Sequence, residues 1–453
     1  MTPLLSVAMT RATTFAIGLL LYAVALPVQA ATITVTNTND SGPGSLRQAL
    51  TIANDGDSIG FAVTGTISLT RGELVIDKNI IISGPGPGLL TVARSQQAAD
   101  FRIFNILPSH TVEINGLTIT GGSLVGNGGG ISSGATLTIS NCAISGNSIL
   151  TTDGLQHSGA GIYNVGTMTI VNSTVNNNQA LIGGFFLADG GGISNDVGTL
   201  TIQNTTISEN TAAGYGGGVY NTGSLTAINS TIRGNTAGSG GGIMTNTFMI
   251  ATNCTISGNS ATFEGGGIFG GGTISNCTIS GNRTTVGHSR GGGISGTGTI
   301  TNSTFSENVA ADGGNICATC CPVQLGSTIL KNGNILVLGT GTVTSLGYNV
   351  SSDNGGGFLI GPGDQINTDP LLGPLQDNGG PTLTHALLPG SPAIDAGDPN
   401  FTPPPYYDQR GPGFSRVFGG RIDIGSFEVQ PLPRPSPTPR SRPTPRPRPT
   451  SPS

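Results

Sequence analysis

The chain has no tryptophan, two lysines (Lys78 and Lys331) and charge on only 9% of its residues. So little charge leaves no material for the polar, ion-paired faces of surface helices, which argues against an ordinary helical domain. Basic residues are scarcer than the net charge of −5 suggests. Setting aside Arg11 and the five arginines of residues 431–453 leaves 12 basic residues against 23 acidic ones. Nucleic acid needs a basic surface, so it is not the expected partner. Six cysteines are few for a secreted protein of 453 residues held by disulfides. Long hydrophobic runs are also missing. The one apolar stretch, residues 15–26, follows Arg11 and precedes the small residues of Val28-Gln29-Ala30. It is too short to span a membrane and reads as a secretory signal peptide over residues 1–30, with no transmembrane span in the mature chain.

What the chain has in excess is glycine, 75 residues, and a repeat. Two asparagines six positions apart recur seven times: Asn141/Asn147, Asn172/Asn178, Asn204/Asn210, Asn229/Asn235, Asn253/Asn259, Asn276/Asn282 and Asn302/Asn308. Glycine triplets recur with them. Their third members Gly218, Gly242, Gly267 and Gly293 lie 24, 25 and 26 residues apart, and Gly130, Gly161 and Gly192 lie 31 apart. The longer units carry insertions at residues 148–158 and 179–189. Within each unit, stretches such as Leu200-Thr201-Ile202 and Thr206-Ile207-Ser208 alternate apolar and polar residues, the mark of a half-buried strand. Strands of three or four residues cannot bury a core alone, but stacked coils can.

This period, with Gly/Asn turns and no helical pattern, predicts an all-β parallel solenoid. A leucine-rich repeat would need a leucine framework that is missing. Coils stack at ~4.8 Å, so equivalent residues form ladders. Ile144, Val175, Ile207, Ile232, Ile256, Ile279 and Phe305 are expected inside, and the fourteen asparagines are expected at turns, each amide donating to one coil and accepting from the next. The glycine triplets are read as tight turns. None is followed by the Lys-Ser/Thr of a nucleotide loop. Cys142, Cys254 and Cys277 share a small-residue position with Ser173, Thr205, Ser230 and Ser303. Cys254 and Cys277 fall on adjacent coils, within reach of a disulfide. Cys317, Cys320 and Cys321 form a cluster read as a local disulfide rather than a zinc site.

Two terminal segments resemble a known architecture. Residues 346–428, with Asp377-Asn378-Gly379-Gly380-Pro381-Thr382, Ser391-Pro392-Ala393-Ile394-Asp395-Ala396-Gly397 and Asp408-Gln409-Arg410-Gly411, resemble the choice-of-anchor Q domain of bacterial secreted and surface proteins. Gly44-Ser45-Leu46-Arg47-Gln48-Ala49 is similar to the start of the CSLREA domain of the same proteins, with Gly44 and Gln48 in place of Cys and Glu. The repeats resemble those of polymorphic outer-membrane proteins. The resemblance implies a right-handed, pectate-lyase-like parallel β-helix with terminal caps, secreted or displayed on a bacterial surface, and it transfers no catalytic residues. The expected organisation is a signal peptide (1–30), an N-terminal cap with the first coils (31–125), β-helix repeats (126–345), a choice-of-anchor Q-like domain (346–429) and a Pro/Arg-rich tail (430–453). Leu46, Ala49 and Leu50 are expected to cap the first coil, and the C-terminal domain to cap the last.

β-Helices also host polysaccharide lyases and hydrolases. Glu209 and Glu307 share a coil position but lie four rises, ~19 Å, apart, too far for one glycosidic bond. The best catalytic candidates are on the insertions, where Asp153 and His157 of one approach Asp189 of the next beside Phe185 and Phe186. His288 and Arg290 are expected to be solvated. Ca²⁺ is the one cofactor left open, at Asp364, Asp369, Asp377, Asp395, Asp398 and Asp423, although Gly/Pro neighbours fit turn-forming aspartates equally well. The leading expectation is a non-catalytic adhesive or structural protein that binds a polysaccharide or another envelope polymer, with a polysaccharide lyase or glycoside hydrolase as the alternative.

Overall fold

The computed structural model describes residues 30–182, 188–319 and 322–430. The signal peptide, Phe185 and Phe186, Cys320 and Cys321 and the Pro/Arg tail lie outside the described residues. The body is a parallel β-helix. One coil shows the plan: strands Ile162–Asn164, Thr167–Val171, Thr174–Asn176 and Gln179–Ile182 follow one another around the turn. The first two join a 21-stranded sheet, the third a 12-stranded sheet and the fourth a 7-stranded sheet. The paired strands of successive coils run parallel, and the register holds along the stack except for shifts after Ala237, Met244 and Leu325. Ile144 lies beside Val175, which continues through Ile207, Ile232, Ile256 and Ile279 to Phe305. All seven are 0% exposed, and burying each contributes roughly 1.5–3 kcal/mol.

The corners follow from the repeat's turn residues. The first asparagine of each pair takes φ between 48° and 55°, a left-handed conformation that asparagine tolerates better than other side chains. It turns the chain from the five-residue strand into the three-residue strand. At the opposite corner the glycine triplet is required by both dihedral and space. Gly216 has φ +65°, and a Cβ on Gly217 or Gly218 would meet the carbonyl oxygen of Gly241 or Gly242 at 2.5 or 2.6 Å.

The coil stack is closed at its start by helix Leu46–Ile52, whose Leu46, Ala49 and Leu50 are buried in the main core. Ser45 caps it by accepting from the Gln48 amide at 3.2 Å, and the Gln48 side chain accepts from the Gly44 amide at 2.7 Å. At the far end Leu359, packed with Phe358, enters the same core.

The rest of the C-terminal region does more than cap an end. It folds back along the outer face of the 12-stranded sheet, where Thr255, Thr278 and Thr304 are buried although their side chains point outward. Gln409 spans this face, donating to Thr255 Oγ1 at 2.9 Å and accepting from Thr278 Oγ1 at 2.6 Å. Ser426 donates its amide to Thr304 Oγ1 at 3.0 Å. Ile329 and Val350 of the sheet pack there with Leu387, Ala393, Ile424 and Phe427. The covered column is polar at Thr255, Thr278 and Thr304 and turns to the branched apolar residues Ile329 and Val350 in the last coils. Among the described residues no helix is long and apolar enough to cross a membrane.

Candidate functional site

The glycine corner folds each coil back on itself, so the residue before the triplet and the residue two places after it face a common concavity. The first column runs through Ser158, Asp189, Tyr215, Ser239, Glu264 and Arg290. The second runs through Tyr163, Ser194, Tyr220, Met244, Phe269 and Ser295. The columns touch across the corner: Ser295 Oγ donates to Glu264 Oε2 at 3.3 Å.

Where the insertions wrap this groove, a cavity of about 180 Å³ is lined by Asn127, Gln156, Ser158, Tyr163, Asp196 and Tyr220. Tyr163 donates its hydroxyl to Asp196 Oδ2 at 2.9 Å, and Thr222 Oγ1 donates to Asp196 Oδ1 at 3.0 Å. Tyr215 and Tyr220 stack with ring centroids 6.4 Å apart and 22° between planes. Burial, and then the bond to Asp196, push the Tyr163 phenol well above its ordinary pKa. Burial and the charges of Asp189 and Asp196 raise that of Tyr220. The cavity is aromatic, rich in hydroxyl and amide groups, and faintly acidic.

The structure brings together only part of the expected catalytic group. Asp153 and His157 pair, with His157 Nε2 3.0 Å from Asp153 Oδ2. Asp189 is separate. It is 0% exposed, accepts from the Tyr215 amide at 2.7 Å and from Gln156 Nε2, and is held above the ordinary carboxylate range by burial. The register explains the split. Ser158, not His157, is opposite Asp189, and successive side chains on a strand point to opposite faces. Glu209 and Glu307 occupy left-handed turn positions, with φ 55° and 58°. His288 is exposed. Arg290, expected to be solvated, instead pairs with Glu264 at 3.2 Å, because the two are direct neighbours across adjacent coils. That cluster includes Cys317, whose thiol burial raises to about 11.

The aspartates considered for Ca²⁺ hold turns. Asp369, Asp377 and Asp398 each accept from the backbone amide two residues on, at 3.0, 2.9 and 2.8 Å. Asp364 accepts from the amides of Gly361 and Asn349. Asp423 accepts from the amides of Asp395 and Val429, and Asp395 itself sits at φ 52°.

The two asparagine columns differ in kind. The second members form one continuous amide ladder. Each Nδ2 donates to the next Oδ1 at 2.9–3.0 Å from Asn147 through Asn178, Asn210, Asn235, Asn259 and Asn282 to Asn308. Each of these side chains is at most 1% exposed. The first members make turns instead. Asn253 donates to Asn229 at 3.0 Å, and Asn276 and Asn302 bond to the C-terminal cover through Tyr407 and Arg416. A further ladder, absent from the expectation, runs Asn164, Asn195, Asn221, Thr245 at 2.7, 2.7 and 3.0 Å. Its signal is plain in hindsight: the third residue after the triplet is asparagine in three successive coils. Cys254 and Cys277 are free buried thiols. They take the small-residue place in the coil, the Cys254 amide donating to Cys277 Sγ at 3.3 Å just as Cys142 donates to Ser173 Oγ at 3.1 Å.

No family model matches the chain, and no curated protein matches it. Among solved structures it is similar to the crystal structure of pectate lyase Pel9A, with a TM-score of 0.48 and 15% identity over 89% of this chain and 98% of that one. At that distance the likeness bears on neither substrate nor activity.

Proposed function

We propose that this is a secreted or surface-displayed β-helix protein with an adhesive or structural role, which holds an extended glycan or similar envelope polymer along the glycine-corner groove. The observation that carries the reading is the groove itself. Its walls are tyrosine rings, hydroxyls and amides, a combination suited to sugar faces and hydroxyls. Its carboxylates are already engaged, Asp189 buried and bound to backbone, Asp196 to two hydroxyl donors, and Glu264 to Arg290 and Ser295. Export rests on the N-terminal segment and on the resemblance of residues 346–428. The rival reading, a polysaccharide lyase or hydrolase, draws on the Asp153–His157 pair at the rim of the insertion.

The deciding experiment incubates the full chain with acidic and neutral polysaccharides, with and without Ca²⁺, and follows both retention and release of reducing or unsaturated ends. Retention without release is expected. Turnover abolished by Asp153→Asn would replace this reading with the enzymatic one.

A further inference from the structure

Far from the glycine corner, the last described residues of the C-terminal cover form one wall of a cavity of about 170 Å³, shared by Ile394, Asp395, Phe418, Val429 and Gln430. The chain is held firmly where it reaches this cavity. The Val429 amide donates to Asp423 Oδ2 at 2.6 Å, and Gln430 Nε2 donates to the Ser415 carbonyl at 3.0 Å. Most of the wall is apolar. Ile394 and Val429 pack on the core of the cover, with Val350, Ala393, Ile424 and Phe427, and Phe418 is 42% exposed. Asp395 is the one exposed charge of the lining. Its carboxylate has no hydrogen-bond or ion-pair partner among the described residues. The cavity therefore continues a core outward and ends beside an unpaired anion, so a fitting occupant is a large apolar side chain followed closely by a cation.

We propose that the occupant is the chain's own Pro/Arg segment: Leu432 seats in the cavity and Arg434 pairs with Asp395, strapping residues 431–434 to the cover. Leu432 is the only large apolar residue of 431–453 and lies two positions past Gln430, about 6 Å of extended proline-rich chain. Arg434 follows two positions later. Charge favours the match, because residues 431–453 carry five arginines and no acid, while the rest of the chain, Arg11 aside, has 12 basic residues against 23 acidic ones. Pro431 and Pro433 fix their own φ and hold the residue before each of them extended, so seating the segment costs little chain entropy. A tether of two residues also gives it an effective concentration of millimolar order or above, which a second copy in dilute solution does not reach. The strap sets the point from which Arg440, Arg442, Arg446 and Arg448 leave the body.

The test uses the full chain carrying Phe418→Trp, which places its only tryptophan in the cavity wall, at a position already aromatic and 42% exposed. Acrylamide quenching of the indole reads whether the wall is covered, and far-ultraviolet circular dichroism checks that each variant is folded. Adding Leu432→Ser is expected to raise the quenching constant about twofold and to shift the emission to the red. Asp395→Asn should raise it by about half as much, since asparagine tolerates the φ of 52° at that position. Arg434→Ala should match Asp395→Asn. An unchanged quenching constant on Leu432→Ser refutes the strap. A rise with Leu432→Ser but none with Asp395→Asn or Arg434→Ala overturns the ion pair and leaves the leucine seat. Protection of the indole that disappears on dilution overturns the own-chain occupant, because the segment of a second copy would then be filling the cavity.

Discussion

Replacing Asn235 by leucine is the sharpest probe of what holds the coils in register. Asn235 is 0% exposed. Its Oδ1 accepts from the Asn210 backbone amide and from Asn210 Nδ2, both at 3.0 Å. Its Nδ2 donates to the Ile207 carbonyl at 3.1 Å and to Asn259 Oδ1 at 3.0 Å. Leucine is nearly the same size, so the change removes four hydrogen bonds with little change in volume. Three of the groups left behind keep a second partner or a second lone pair. The Asn210 amide hydrogen loses its only bond. One fully stranded buried donor costs about 1–3 kcal/mol, and with the weakened neighbours the expected loss is about 3 kcal/mol. Asn229→Gly is the control. Asn229 sits at φ 50° and its amide takes one neighbour bond, while glycine adopts that dihedral freely, so the change should cost about 1 kcal/mol or less. Urea unfolding followed by far-ultraviolet circular dichroism gives both midpoints. Equal midpoints for Asn235→Leu and Asn229→Gly would refute the distinction between a ladder asparagine and a turn asparagine.

Three further outcomes are expected. Phe305→Ala empties the widest position of the interior ladder, where the ring is 0% exposed, and should cost about 3–5 kcal/mol in the same assay; a loss under about 1 kcal/mol would mean that the coils close over the gap. The C-terminal cover should weaken as pH rises. Burial, and then the charge of Asp423, raise Glu428 to about 8 from an ordinary 4.5, so the folded state binds the extra proton. Stability from this group is complete below pH 4.5 and is lost as pH climbs to about 8, at up to about 1.4 kcal/mol per unit. Asp423 is raised by burial and acts in the same direction. Glu428→Gln should flatten melting temperature against pH between 5 and 8, and an unchanged slope would remove Glu428 as the cause. Finally, the thiols of Cys142, Cys254, Cys277 and Cys317 are all buried and should resist a thiol reagent until the chain unfolds. Cys254→Ser should cost less than about 1 kcal/mol because other coils place serine there; a larger loss would show that the sulfur packs in a way serine cannot match.

The fold was legible because stacking turns sequence period into geometry. Once Ile207, Ile232 and Ile256 are seen to recur with the asparagine pairs, parallel register places them over one another and inside. The same logic fails for whatever is not periodic. The C-terminal region has no repeat to phase it, so its motif spacing gave no hint that it lies along the side of the sheet over Thr255, Thr278 and Thr304. The chemical roles of the two asparagine columns were also invisible, since a six-residue spacing does not say which member is buried. The pairing of Arg290 with Glu264 was within reach, because both precede a glycine triplet by one residue, but it requires following that column rather than the asparagines.

A solenoid repeats its surface as faithfully as its core, and uniform columns hold no one ligand better at one coil than at the next. Specificity therefore has to enter where a column breaks. Two breaks coincide here: the 31-residue coils raise insertions beside the glycine corner, and Ser194 interrupts a column occupied on either side by Tyr163 and Tyr220. Farther along, the same column carries Met244 and Phe269 without an insertion to wall them. At the first place the insertion and the column together wall the cavity lined by Gln156, Ser158, Tyr163, Asp196 and Tyr220. Binding should accordingly depend on the coils around residues 158–220 and survive substitution of Phe269. If Phe269→Ala abolished retention as fully as Tyr220→Ala, the ligand would be reading the whole column, and the cavity beside the insertion would have no special part in recognition.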